Sequence, residues 1–239
     1  MKITLIVVAA ALFYTVANAQ QAPAAGGRQG GGAAGGARQG GAAQAGGGRA
    51  TRPPLFLKEE WKQNAANDEH PVSQESVGSP NLELKLYGKD ILLTGRPGDE
   101  NNPTHIWTGT CPGPCAVALR DKANFADLTG LARIRWNLKT SGFHQVRPAL
   151  KLADGTWIVG DRADGSTRDW LFSEFNLADV QWLRLDIAGV VTKGNILTNV
   201  DLSKVDEIGF ADLMPGSGHG AGGWVDVAQI EVYGKPVPR

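Results

Sequence analysis

The chain has 239 residues with 24 basic and 24 acidic side chains, but the balance is uneven along it. Lys2, Arg28, Arg38, Arg49 and Arg52 precede Pro53 and no acidic residue does, so the remainder carries 19 basic against 24 acidic residues, a net charge of −5. That sign argues against nucleic-acid binding, which needs a basic footprint, and about 190 residues from Pro53 onward suffice for one well-buried core.

Met1-Lys2, the apolar run Ile3 to Val16 and the small-x-small triplet Ala17-Asn18-Ala19 form a signal-peptide pattern, with cleavage expected before Gln20. The run is short of the roughly 20 residues of a membrane span. No later segment is long and apolar enough for one, so no integral membrane segment is expected after cleavage. Residues 1–19 are therefore read as a signal peptide and 20–52 as a disordered Gly/Ala/Gln/Arg-rich tether with no apolar face to bury. The folded domain is read as 53–239. The protein is expected in the periplasm or outside the cell.

Leu57 to Asn67 reads as a short helix or an extended lead-in. Beyond it, short alternating runs are broken by Gly, Pro, Asn and Asp, the pattern of an all-β domain. Strands are predicted at Leu82–Tyr87, Ile91–Thr94, His105–Thr108 and Cys115–Arg120. Cys111 and Cys115 flank Pro112-Gly113-Pro114. Zinc needs three or four ligands and no nearby His completes a set. In an exported chain this spacing predicts a disulfide closing a tight turn, worth ~2 kcal/mol. A redox role is the other reading, although the spacing is one residue longer than Cys-x-x-Cys.

The middle of the chain is the most regular. Ala132 to Lys139 alternates over its whole length, and Phe143 to Leu152 pairs through the Asp154-Gly155 turn with Thr156 to Asp161 as a hairpin. Pro148 suggests an edge strand or a bulge there. Gln181–Ile187, Glu207–Ala211 and Trp224–Tyr233 complete roughly eight to ten strands, enough for a two-sheet antiparallel β-sandwich of jelly-roll type.

Alternation also assigns faces. Arg133, Arg135, Asn137 and Lys139 share one face of their strand; Gln145, Arg147 and Lys151 share one of theirs; Trp182, Arg184 and Asp186 share a third. If these strands are neighbours, Arg133, Arg135, Arg147, Lys151, Trp182, Arg184 and Asp186 form a polar surface with an aromatic platform. Such a surface suits a sugar, which stacks on an indole and offers hydroxyls to Arg and Asp. The competing reading is a solvated sheet face laced by Arg–acid pairs. Trp136 and Trp224 read as core; Trp107, Trp157 and Trp170 lie near loops and are freer to touch a ligand, and His105 and His144 flank this region.

The acidic loop Asp161 to Asp169 lacks the ligand spacing of an EF-hand, leaving an irregular structural calcium site there or at Asp226 as the one metal expectation. Pro215 to Gly223, with His219, precedes a strand and reads as a mobile surface loop, because it has no Lys-Ser/Thr of a phosphate loop. No Ser-His-Asp elbow, zincin helix or nucleotide fingerprint occurs, and no other cofactor is expected.

Asp201 to Phe210, the glycine-rich loop, and Trp224-Val225-Asp226-Val227-Ala228-Gln229-Ile230-Glu231-Val232-Tyr233-Gly234 resemble the closing strands of galactose-binding-like jelly rolls, with Trp182 to Asp186 resembling the strand before them. The resemblance spans roughly Leu131 to Gly234 and implies a sandwich and, often, carbohydrate binding. Leu84-Lys85-Leu86-Tyr87-Gly88-Lys89-Asp90 is similar to the opening of secreted 3-keto-disaccharide hydrolase-like domains, which are concanavalin-like sandwiches. Here Leu-Tyr-Gly-Lys replaces the usual Leu-Phe-x-Gly-Lys and the preceding Gly-Trp is absent. The functional expectations are a glycan-binding module first, a secreted glycoside hydrolase second, and an adhesion module that binds another exported protein third.

Overall fold

Alternating runs become strands in the computed structural model, which describes residues 51–62, 70–88, 94–109, 111–214 and 223–239. The signal peptide, most of the tether, residues 63–69 of the lead-in, Ile91 to Leu93 and the loop 215–222 with His219 lie outside the described residues. The sandwich belongs to the unit Gly48–Arg239. In chain order its strands are β1 (Leu55–Glu60), β2 (His70–Pro71), β3 (Leu82–Tyr87), β4 (Thr94–Arg96), β5 (His105–Trp107) and β6 (Cys115–Asp121). They continue as β7 (Asn124–Asp127), β8 (Arg133–Thr140), β9 (Arg147–Leu152), β10 (Trp157–Gly160) and β11 (Leu171–Asn176). The last are β12 (Trp182–Asp186), β13 (Val191–Leu197), β14 (Val205–Asp212), β15 (Val225–Tyr233) and β16 (Lys235–Pro238).

Two antiparallel sheets result. The first runs β11-β8-β15-β5-β4-β2, with β1 also paired to β15. The second runs β13-β12-β10-β9-β14-β6-β3, with β7 joining β14 and β16 joining β7. The expected two-sheet β-sandwich is what the chain forms. Ile134, Trp136 and Leu138 of β8 and Ile230 and Val232 of β15 meet Val117, Leu119, Leu150, Ile158, Ile208 and Phe210 of the other sheet, all essentially inaccessible. Each such burial contributes roughly 1.5–3 kcal/mol.

Three local readings take a definite form. The lead-in is not helical where it is described: Leu55 to Glu60 pairs with β15, and the inward carboxylate of Glu59 accepts bonds from Gly78 N at 2.5 Å and Ser79 N at 3.1 Å. Those two amide donors make the buried Glu tolerable, although burial raises its pKa above the ordinary value. Pro148 is central rather than at an edge, because β9 lies between β10 and β14. Registered pairing with β10 stops at Ala149, and Gly160 leaves room for the proline ring: a Cβ there would lie 2.6 Å from Pro148 Cγ. The acidic loop takes part in the fold. Asp164 Oδ2 accepts Trp136 Nε1–H at 2.8 Å and Asp161 Oδ1 accepts Gln181 N–H at 2.8 Å. Among the described residues no three His, Cys, Asp or Glu side chains converge to hold a metal ion.

Strand β15 carries a bulge between Val227 and Gln229. The extra residue, Ala228, resets the alternation, so Val225 and Val227 point inward before it and Ile230 and Val232 after it. Asp226, Gln229, Glu231 and Tyr233 therefore all face outward.

Candidate functional site

The outward residues of β4, β5 and β15 converge at one end of the first sheet. Register sets Trp107 beside Asp226 and His105 beside Arg96, while Ile106 between them enters the core. Lys139 of β8 flanks Asp226 on its other side. Arg96, His105, Trp107, Trp224 and Asp226 line an open cleft of about 270 Å³. The backbone around it is fixed by paired bonds: Thr108 N–H donates to Val225 O at 2.9 Å and Val225 N–H donates to Thr108 Oγ1 at 2.9 Å. Gly109 packs against the indole of Trp107, where a Cβ would fall 2.2 Å from Cε2.

Inside the cleft the polar atoms are unevenly satisfied. Trp224 Nε1–H donates to Asp226 Oδ2 at 3.1 Å, whereas Asp226 Oδ1 is buried without a hydrogen-bond partner. His105 Nε2 stands 3.7 Å from that oxygen, beyond bonding range. His105 Nδ1 is 2.7 Å from Pro103 O, which can only accept, so Nδ1 carries the hydrogen and Nε2 of the neutral ring presents a lone pair. Burial lowers the His105 pKa, with the Pro103 bond opposing it, and favours that neutral ring. Burial pushes Asp226 up to about 7, against the Trp224 bond and the positive charges of Lys139 and Arg96. The Arg96 guanidinium lies 3.9 Å over the Trp107 ring, and Trp170 packs edge-on against His105 with centroids 5.0 Å apart. The arrangement offers an indole edge, a cation and an underpaired carboxyl to whatever enters.

The seven residues selected by alternation do not form one surface. Arg133 and Arg135 lie on β8 in the first sheet, the other five on β9 and β12 in the second. Even within the second sheet they divide. Lys151 registers with Trp157 on the outer face, whereas Arg184 registers with the core residue Ile158 and Trp182 with Gly160 on the inner face. Alternation fixes faces within a strand; only pairing register relates one strand's faces to the next. Trp182 is buried in the core. Arg184 and Asp186 border a shallow hollow with Val191, Lys193 and Asn195, and Arg147 borders another with Phe143, Gln145 and Asp212.

Several of these groups serve the fold. Arg133 pairs with Glu174 at 3.3 Å and stacks 3.7 Å over Tyr233; Arg135 pairs with Glu231 at 3.5 Å and lies 4.3 Å over Phe172. Lys151 bonds Glu207 at 2.7 Å and Asp206 at 3.2 Å, and Tyr87 O–H donates to Glu207 at 2.6 Å. The Glu207 bond raises the Lys151 pKa. Trp157, expected near a ligand, is buried against Tyr87 with centroids 4.9 Å apart, while Trp224, expected in the core, is half-buried at the cleft.

Cys111 and Cys115 are two buried thiols, hydrogen-bonded to each other. That bond, burial and the charge of Asp212 hold the Cys115 thiol well above its ordinary pKa. Asp212 registers with Cys115 and its Oδ2 is 2.6 Å from His144 Nδ1 in a fully buried pair.

Sequence reasoning reached His105 and Trp107 as ligand candidates but missed Arg96, and it placed Asp226 only as a calcium donor. Asp226 comes from a strand more than 100 positions from the other three and is joined to them by sheet order alone. The usable signal was the polar Asp226 between two valines in a strand otherwise rich in core residues.

No protein-family model and no curated protein sequence matches the chain. Among solved structures, it is similar to the family 11 carbohydrate-binding module of a cellulosomal cellulase of Clostridium thermocellum, at 18% identity and a TM-score of 0.43, covering 72% of this chain and 97% of that one. The same module in complex with a β-1,3-1,4-mixed-linked tetrasaccharide matches at 17% identity and a TM-score of 0.42, over 74% of this chain and 96% of that one. An exo-β-agarase matches at 10% identity and a TM-score of 0.38, over 73% of this chain and 25% of its own.

Proposed function

We propose that the protein is an exported, non-catalytic glycan-binding β-sandwich whose site is the cleft between Trp107 and Trp224. The observation that carries this reading is Asp226 Oδ1, a buried acceptor without a hydrogen-bond partner beside an indole in an open cleft. A buried unpaired acceptor costs about 1–3 kcal/mol, and a sugar hydroxyl donating to it recovers that cost while the ring packs on Trp224. Glycoside hydrolysis calls for two carboxyl groups roughly 5–9.5 Å apart. Among the described residues lining the cleft, Asp226 is the one carboxyl, which favours binding over hydrolysis. Export and a Cys111–Cys115 disulfide formed after it belong to the same proposal, because the two thiols already touch.

The test is a glycan array with the secreted protein, followed by titration of the strongest ligand through tryptophan fluorescence. Trp224→Ala is expected to weaken binding by about tenfold or more, the equivalent of 1.4 kcal/mol. Arg147→Ala, on the second sheet, is expected to bind normally. A correctly folded protein that binds nothing on the array, or a Trp224→Ala variant that binds as wild type does, overturns the proposal.

A further inference from the structure

The chain entering β9 carries a row of side chains that the fold leaves unused. Exposure alternates there: His144 and Val146 are buried, Phe143 and Gln145 are exposed, and Arg147 is half-buried. The three outward side chains border an open hollow of about 170 Å³, shared with Asp212 at the end of β14 and with Leu213 and Met214 after it. Arg133, Arg135 and Lys151 each have a carboxylate partner. Among the described residues no hydrogen bond, ion pair or ring contact engages the Arg147 guanidinium. Its nitrogens are not among the sealed polar atoms either, so they are open to solvent. Asp212 is committed elsewhere, with Oδ2 2.6 Å from His144 Nδ1 and Oδ1 accepting Met214 N–H at 3.1 Å. The Gln145 amide is likewise unbonded among the described residues. Phe143 is 76% exposed, so most of its ring is open to a ligand.

These groups fit one kind of ligand. A guanidinium is always ionised and offers paired N–H donors that match a carboxylate or a sulfate. A primary amide both donates and accepts, which suits hydroxyl groups. An open phenyl ring takes an apolar ring face. We propose that the hollow at Phe143, Gln145 and Arg147 is a second binding site, which takes an acidic sugar. The sugar ring packs on Phe143, its hydroxyls bond Gln145, and its uronate carboxylate or sulfate ester is held by Arg147. Leu213 and Met214 supply the apolar rim. The site is distinct from the cleft, since Arg147 belongs to the second sheet and Asp226 to the first, and it does not depend on what the cleft binds.

The experiment is calorimetric titration of the secreted protein with trigalacturonate, a sulfated galacto-oligosaccharide, a neutral galacto-oligosaccharide and inorganic sulfate. At least one anionic oligosaccharide is expected to bind, and the tighter of the two identifies the carboxylate or the ester. Arg147→Gln should weaken that binding by about tenfold or more, and Phe143→Ala by about threefold or more. Both variants should melt within about 2 °C of wild type, because neither side chain is engaged by the fold. Trp224→Ala should leave the anionic probe bound as before, and Arg147→Gln should leave any binding of the neutral probe unchanged. Wild-type affinity of Arg147→Gln for the anionic probe overturns the second site, as does an equal loss for the neutral probe. Inorganic sulfate bound as tightly as the oligosaccharide would reduce it to a bare anion site and remove the sugar from the proposal. If neither anionic probe binds the folded protein, or if Trp224→Ala alone abolishes their binding, the second site falls while the cleft stands or fails on its own test.

Discussion

Asp226 combines an outward position with near-complete burial, and that combination sets a stability cost which can be measured apart from any ligand. Its carboxyl has an ordinary value of 3.8 and rises to about 7 in the fold, so the folded state holds the proton more tightly than the unfolded chain. A raised acid of this kind makes stability fall as the pH climbs between the two values, with a constant penalty above the upper one. At 1.36 kcal/mol per unit, the full penalty is roughly 4 kcal/mol. Asp226→Asn keeps an acceptor for Trp224 and removes the ionisation. It is expected to match wild type near pH 4 and to be more stable by up to that amount near pH 8, as read by urea denaturation. A difference that does not grow with pH would show that the site leaves the carboxyl unperturbed. Glu59 is raised in the same direction, but it is common to both proteins and cancels in the comparison.

Strands were legible where apolar and polar residues alternate along the sequence itself. Leu82–Tyr87 begins and ends where the alternation does, and β8 and β12 fall within a residue of their predicted limits. Strands without that contrast escaped notice. Exposed Val191 and Ile196 leave β13 with no inward row, exposed Leu171 and Phe172 interrupt the pattern of β11, and two prolines disguise β16. The binding residues were chosen by type and face, and their scatter over three surfaces reflects information that sits in sheet order rather than in any one strand. The same holds for Pro148, whose place in the middle of a sheet depends on a glycine twelve residues later. Gly160→Ala would put a methyl 2.6 Å from Pro148 Cγ and 2.8 Å from Val180 Cγ1, and is expected to destabilise by about 1–3 kcal/mol. Gly165→Ala, whose nearest neighbour would be 3.9 Å away, should change stability by about 0.5 kcal/mol or less. Equal effects in thermal melts would mean that the fit of Gly160 against the proline ring has no energetic weight.

For the molecule as a whole, the core described for the sandwich draws on residues from Leu57 onward, and the sequence 20–50 offers no apolar face to add to it. The mature protein is expected to begin at Gln20 and, with Cys111 and Cys115 paired, to be two hydrogens lighter than the reduced chain. Removal of residues 20–50 should leave the melting temperature within about 2 °C, less than a 1 kcal/mol effect produces. A larger drop would place part of that segment on the domain. The same antiparallel frame also fixes a direction of presentation. Strand β1 starts at Leu55, beside Tyr233 at the far end of β15, while Asp226 lies near that strand's beginning. At about 3.3 Å per residue the two points are separated by some 20 Å. Strand β1 therefore enters the sheet at the end of β15 away from the cleft. A ligand held at Asp226 then leaves the pairing of Leu55 with Tyr233 undisturbed, so occupancy of the cleft and entry of the chain into the sheet are independent of each other.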